Sequence, residues 1–322
     1  MRHVFLLLAI PLALRAQASQ PQPARTGEQL FEARRLDDAR AVFQQQLSRD
    51  KNNANAMYYL GRIEYAQGKS GEAVDWFEKA LQRDEKNPTY HVSLGNALGD
   101  EAQKASKIRQ PFLARRVKSE FERAVELDPT QIDAREGLVG FYSMAPGFMG
   151  GSMDKAREQA NEIMKLNPAR GHAQLANLAE RDKDPAIAER EYKSIIVAQP
   201  DSALGYYALG AFYRRQKRWD ESWATYDQLM KLKPGEINVH LTWGGTAAES
   251  GRNLERGERE VKFYLGNAPK DAPAGNLSNA HWRLGQIYLQ TNRKEPARSE
   301  FSEAIRLNPR NQNAKKALDS LK

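Results

Sequence analysis

The strongest constraint on this chain is a period of 34 residues that runs through its sequence. Ala39 and Phe43 return as Ala73 and Phe77, and Leu60-Gly61 returns as Leu94-Gly95. Pro200 and Pro234 keep the same spacing, as do Gly210 and Gly244. A fixed period of this length marks stacked units, each too small to bury its apolar face alone. Within one unit, an alanine and an aromatic four residues on share one helical face. A closing proline cannot donate a backbone hydrogen bond, so it stops one helix before the next begins. The period therefore predicts a stack of repeated units.

Two stretches carry the pattern most fully. One is Tyr206-Tyr207-Ala208-Leu209-Gly210-Ala211-Phe212-Tyr213, followed by Trp219, Tyr226 and Pro234. The other is Leu284-Gly285-Gln286-Ile287-Tyr288, followed by Ala297, Phe301, Ala304 and Pro309. Their period and residue types resemble the tetratricopeptide repeat, over about eight copies between Thr26 and Pro309. The resemblance implies an all-α fold, a right-handed superhelical solenoid of helix-turn-helix repeats. It would occupy residues 26–310, with 311–322 as a capping helix. In that last stretch Ala314, Ala317, Leu318 and Leu321 share one side, and Lys and Asn occupy the other.

Some copies depart from the period. Residues 96–120 hold about ten extra positions, which predicts a longer first helix or a larger turn in the third copy. Residues 145–152, Ala-Pro-Gly-Phe-Met-Gly-Gly-Ser, lengthen the fourth copy, and Ser152 reads as a helix N-cap. Lys270 to Gly275 reads as an added loop. Gly257 stands in the seventh copy where alanine is usual.

The N-terminus has a different character. Arg2 and His3 precede an apolar run from Val4 to Leu14, and Ala16-Gln17-Ala18 gives a small-x-small cleavage pattern. The run is too short to span a bilayer, which needs about 20 apolar residues. The expectation is a signal peptide over 1–18 and a flexible leader over 19–25. The mature chain would be exported to the periplasm or beyond a bacterial cell, not integral to a membrane.

Cysteine is absent, which removes disulfides, thiolate nucleophiles and zinc–thiolate sites. Beyond His3, the histidines are His91, His172, His240 and His281. Each precedes the Leu-Gly pair of its copy, or that pair's equivalent, by three residues, where other copies hold Tyr206 or Met57. They read as packing residues spread over different copies, not as a metal set. No paired-carboxylate, Ser-His-Asp or HExxH arrangement stands out. No cofactor, metal or catalytic residue is expected, and the chain reads as non-enzymatic.

What remains is surface. The resemblance implies a concave groove, lined by first helices, that receives protein or peptide segments. That face carries Tyr58, Arg62, Tyr65, Asn96, Arg170, Asn177 and Arg181. It continues with Tyr207, Arg214, Asn238, Trp282, Arg283 and Gln286. Arginine and aromatic residues are enriched at binding hot spots, and asparagine can hold an extended backbone. Phe148 and Met149, apolar groups on a Gly-rich loop, form a second candidate. The net charge of +8, or +6 without the signal segment, supports a rival reading as a binder of nucleic acid or envelope polysaccharide. Charges of both signs alternate along the chain, as in Arg256-Gly257-Glu258-Arg259-Glu260, and this patterning argues against nucleic acid.

Overall fold

A computed structural model describes residues 26–321, so the expected signal segment and leader lie outside the described residues. Among those residues there are 17 α-helices, one 3-10 turn and no strand. The chain divides into two compact units, the first ending at Glu101 and the second running from Ala102.

The first unit holds α1 (Gly27–Glu32), α2 (Leu36–Arg49), α3 (Ala54–Ala66), α4 (Ser70–Leu81) and most of α5 (Pro88–Lys104). The second opens with α6 (Gln110–Leu127), α7 (Ile132–Met144), the 3-10 turn (Gly147–Met149) and α8 (Met153–Leu166). It continues with α9 (Pro168–Arg181), α10 (Pro185–Ala198), α11 (Ala203–Arg215) and α12 (Trp219–Leu232). Last come α13 (Asn238–Ser250), α14 (Leu254–Asn267), α15 (Ala274–Gln290), α16 (Lys294–Leu307) and α17 (Gln312–Asp319). Consecutive helices pack as hairpins: α1 with α2, α3 with α4, and in the second unit each pair from α7–α8 to α15–α16. Neighbouring first helices also meet, α7 against α9 and α13 against α15.

The hairpin core follows from the repeated small residue and ring. A Cβ added to Gly27 would stand 2.6 Å from the Phe43 ring, and one on Gly61 would stand 2.6 Å from Phe77. The same holds for Gly210 against Tyr226 at 2.3 Å and Gly285 against Phe301 at 2.5 Å. All four rings are buried, beside Ala39, Ala73 and Ala297. The glycine is thus the floor on which the ring of the second helix lies. In α13–α14 Val261 takes the ring's place, and the helices close up. A Cβ on Gly244 would stand 2.8 Å from the Gly257 carbonyl, and one on Gly257 2.5 Å from Ala247 Cβ.

The two helices of a hairpin are joined through a left-handed residue. Arg34, Gly68, Lys183, Lys217 and Asn292 take φ values of 57–80° at equivalent turns. Only Gly68 adopts this conformation at no steric cost, and Asn292 is the other residue of a type that favours it. The next hairpin often starts on a side-chain cap, as Asn53, Asn167 and Asn311 each accept from the N–H three residues on.

The irregular copies resolve in detail. The extra residues at 96–120 lengthen both α5 and α6, to 17 and 18 residues, and leave a short break between them. Ser152 caps α8, its Oγ accepting from the Lys155 N–H at 3.3 Å. The insertion at 270–275 is shared between a loop and an added turn of helix, since α15 already begins at Ala274. Ala314 on α17 is buried, and Ala317, Leu318 and, just past the helix end, Leu321 pack against the core of α13–α16.

Candidate partner-binding face

The expected groove residues divide between the two units. In the first, Tyr58, Arg62 and Tyr65 lie on α3 and Asn96 on α5. Tyr58 stacks on Tyr90 at 4.7 Å between ring centres. The Arg62 guanidinium lies 4.3 Å over Phe31 and 5.1 Å over Tyr59, with Glu32 at 3.6 Å. Arg62 is therefore part of the packing between α1 and α3, not a free surface cation. Tyr65 is exposed, yet partial burial and then Asp100 push its hydroxyl up to about 12. Asn96 is exposed.

In the second unit, several candidates are occupied by the preceding hairpin. Arg170 on α9 donates to Glu136 through Nε and Nη2 at 2.9 and 2.6 Å, and to Asp133 at 2.5 Å. Arg181 donates to the Ser143 carbonyl at 2.9 Å. Asn177 lies 3.0 Å from the Tyr192 hydroxyl, at the floor of a hollow lined also by Ala173, Ala208 and Arg215. On α11 the Tyr207 hydroxyl donates to Glu236 at 3.1 Å. Burial first, then Glu236, raises that hydroxyl far above its ordinary value. Arg214 meets Glu249 only loosely, at 3.8 Å. Asn238 is exposed at the start of α13 and donates to Glu236 at 3.2 Å. On α15 the Arg283 guanidinium lies 4.2 Å over Trp282 and donates to Gln286 at 3.2 Å.

The loop candidates separate. Phe148 is 84% exposed, whereas Met149 is half-buried and the turn packs on α6. A Cβ on Gly151 would stand 1.7 Å from the Ala145 carbonyl oxygen, so that position admits only glycine.

Two sets of polar partners were not anticipated. The histidines are not simply packing aromatics, because three of them hold a carboxylate of the second helix. His172 Nδ1 donates to Glu191 at 2.8 Å, His240 to Glu260 at 2.6 Å, and His281 to Glu300 at 2.6 Å. The signal was a histidine followed 19 or 20 residues later by glutamate in three copies. Arginines, in turn, cross from one hairpin to the next. They pair Arg40 with Glu64, Arg215 with Glu180, Arg218 with Glu189, Arg256 with Asp227 and Arg293 with Glu258. Among the described residues no group of three or more His, Asp or Glu is placed to hold a metal ion. No described helix is long and apolar enough to cross a membrane.

Profiles of the tetratricopeptide repeat match residues 25–88, 173–237 and 278–311, together about half of the chain. The chain belongs to the tetratricopeptide repeat family. Such proteins are interaction scaffolds, typically non-enzymatic. One similar protein is anaphase-promoting complex subunit 7 of Arabidopsis thaliana, 22% identical over 87% of this chain. The chain spans about half the length of that relative, 52%. Among solved structures, a tetratricopeptide repeat protein from Parabacteroides merdae is 15% identical with a TM-score of 0.51. That match covers 83% of this chain and 98% of the other. YrrB, described as a repeat protein with an unusual peptide-binding site, matches at 14% identity and a TM-score of 0.37. It covers 76% of this chain and 97% of its own.

The inter-repeat pairs make the tetratricopeptide repeat stack sensitive to acid. The Arg218 bond holds Glu189 at about 2, and the Arg293 bond holds Glu258 at about 2, against an ordinary 4.5. A carboxylate depressed in the folded chain contributes stability that is complete above the unfolded value. That contribution is lost as pH falls through about 2. The melting temperature is therefore expected to fall steadily from about pH 4.5 towards pH 2. The fall should be shallower in Glu258→Gln. An unchanged slope in that variant would show that the pair does not carry the effect.

Proposed function

We propose that this repeat protein is an exported scaffold of a bacterial cell envelope that holds a partner segment against the first helices of its second unit. The observation that carries the binding reading is a set of lightly engaged groups on that face. Arg214 is 3.8 Å from its nearest carboxylate partner, Asn238 is exposed, and Trp282 is half-exposed. The N-terminal sequence, with Arg2, the run from Val4 to Leu14 and Ala16-Gln17-Ala18, supports export. The rival occupant, an anionic polymer, needs rows of free cations. Arg170, Arg215, Arg218, Arg256 and Arg293 are instead bound to carboxylates of this chain.

The test is capture of partners by the mature chain from an envelope extract of its source cells. Arg214→Ala and Asn238→Ala are expected to weaken a captured protein by about 1–2 kcal/mol without lowering the melting temperature. Loss with Phe148→Ala alone would move the site to the loop. Binding untouched by all three would end the reading. Mass spectrometry of the native protein should show a start at Ser19, and an intact chain found only in the cytoplasm would overturn export.

A further inference from the structure

Arg283 differs from Arg170, Arg215, Arg218, Arg256 and Arg293, each of which meets a carboxylate of another hairpin. It sits on α15 in the second unit, half-buried, with its stem against α13. A Cβ on Gly245 would stand 3.5 Å from its Nε and 3.8 Å from its Cδ. Gly245 thus lies alongside the arginine side chain, at a distance where even a methyl group would make only ordinary contact. The Trp282 ring covers it at 4.2 Å, and its hydrogen bond goes to the neutral Gln286 at 3.2 Å. Among the described residues no carboxylate oxygen lies within 4.0 Å of it. Glu249, the acid that acts on it, lies 3.8 Å from Arg214 instead. Burial accordingly pulls Arg283 below the ordinary arginine range, with Glu249 opposing and Arg214 adding to the pull.

A shielded cation without a counter-charge is costly, because burial weakens its hydration and nothing repays the loss. Arg170, on an equivalent first helix, is matched by two carboxylates of its own chain. Arginine presents a planar fork that matches a carboxylate with two parallel bonds. A ring beside it excludes water and strengthens such a pair.

From this geometry we infer that Arg283 is the seat for an aspartate or glutamate side chain of the partner segment. The inference rests on the proposed binding face and names the chemistry it selects. Two cations, Arg214 and Arg283, flank the single acid Glu249 on three first helices, α11, α13 and α15. That arrangement leaves room for one added negative charge. It is a point contact for one carboxylate, where a phosphodiester strand would ask for a track of cations.

The experiment is selection from a displayed library of random twelve-residue peptides on the intact chain, followed by affinity measurement. Selected peptides should share an Asp or Glu at one position, and changing it to Asn or Gln should weaken binding about tenfold. Arg283→Gln should lose about tenfold and become indifferent to that peptide change. Peptides that compete with one another, lose affinity to Asn238→Arg, and yet ignore Arg283→Gln would overturn the carboxylate seat and leave the face standing. Peptides unaffected by Asn238→Arg, or no selected peptide at all, would overturn the face and the seat with it. Binding of the oligonucleotide dT12 that is lost in Arg283→Gln would put a phosphate in the seat and overturn the carboxylate. If Arg283→Gln melts early, the Asp-to-Asn comparison on the unaltered chain still decides.

Discussion

Replacing Phe301 with alanine is expected to lower the unfolding free energy by about 3–5 kcal/mol, as truncation of a buried aromatic does. Phe301 is fully buried in the core that α14–α16 share, and its ring rests on the bare backbone of Gly285. Gly285, the residue on which the ring lies, has no side chain to move into the space. In a repeat stack, loss of one interface is also felt by the neighbour that leans on it. Leu318 and Leu321 pack on the same core, so hydrogen exchange should quicken along α17 as well as along α15 and α16. A denaturant midpoint shifted by less than about 0.5 kcal/mol would show that the ring does not carry this hairpin.

Gly171 and Gly140 are expected to respond with opposite signs. A Cβ on Gly171 would stand 2.3 Å from Met164 Cα and 2.6 Å from Met164 N. These are main-chain atoms of α8, which cannot swing aside as a side chain can. Gly171→Val should therefore cost about 3 kcal/mol, the upper end for overpacking. Gly140 lies in α7 with nothing within 4 Å of its added Cβ. Gly140→Ala should gain about 0.5–1 kcal/mol, because alanine restricts the unfolded chain and favours helix. Thermal melts of the two variants decide the matter. Equal effects, or a tolerated Gly171→Val, would mean that α9 does not ride on the backbone of α8.

These contrasts mark how far the sequence could be read. The ring-on-glycine packing was legible at Leu60-Gly61 with Phe77 and at Leu284-Gly285 with Phe301, because both partners lie within one period. Most of the left-handed turns were not, since Arg34, Lys183 and Lys217 give no hint of positive φ, while Gly68 and Asn292 do. The candidate face was legible as a set of positions on first helices. What each side chain is free to do was not. Arg170 and Arg181 looked like groove residues, yet their partners Glu136 and Ser143 stand about one repeat earlier, beyond any single-helix pattern. The exception of Arg283 became visible only when the others were seen to be paired.

The direction of those pairs sets how the second unit should yield. His172–Glu191, His240–Glu260 and His281–Glu300 clasp the two helices of one hairpin, whereas the arginine pairs bridge successive hairpins. Apolar contacts inside the hairpins, such as Tyr226 on Gly210, Val261 on Gly244 and Phe301 on Gly285, carry no charge for dissolved ions to screen, but half-exposed charge pairs are screened within about 10 Å at 0.1 M salt. The hairpins are thus stiff links and the arginine pairs are springs between them. Ionic strength becomes a mechanical variable, softening the joints while the links keep their form.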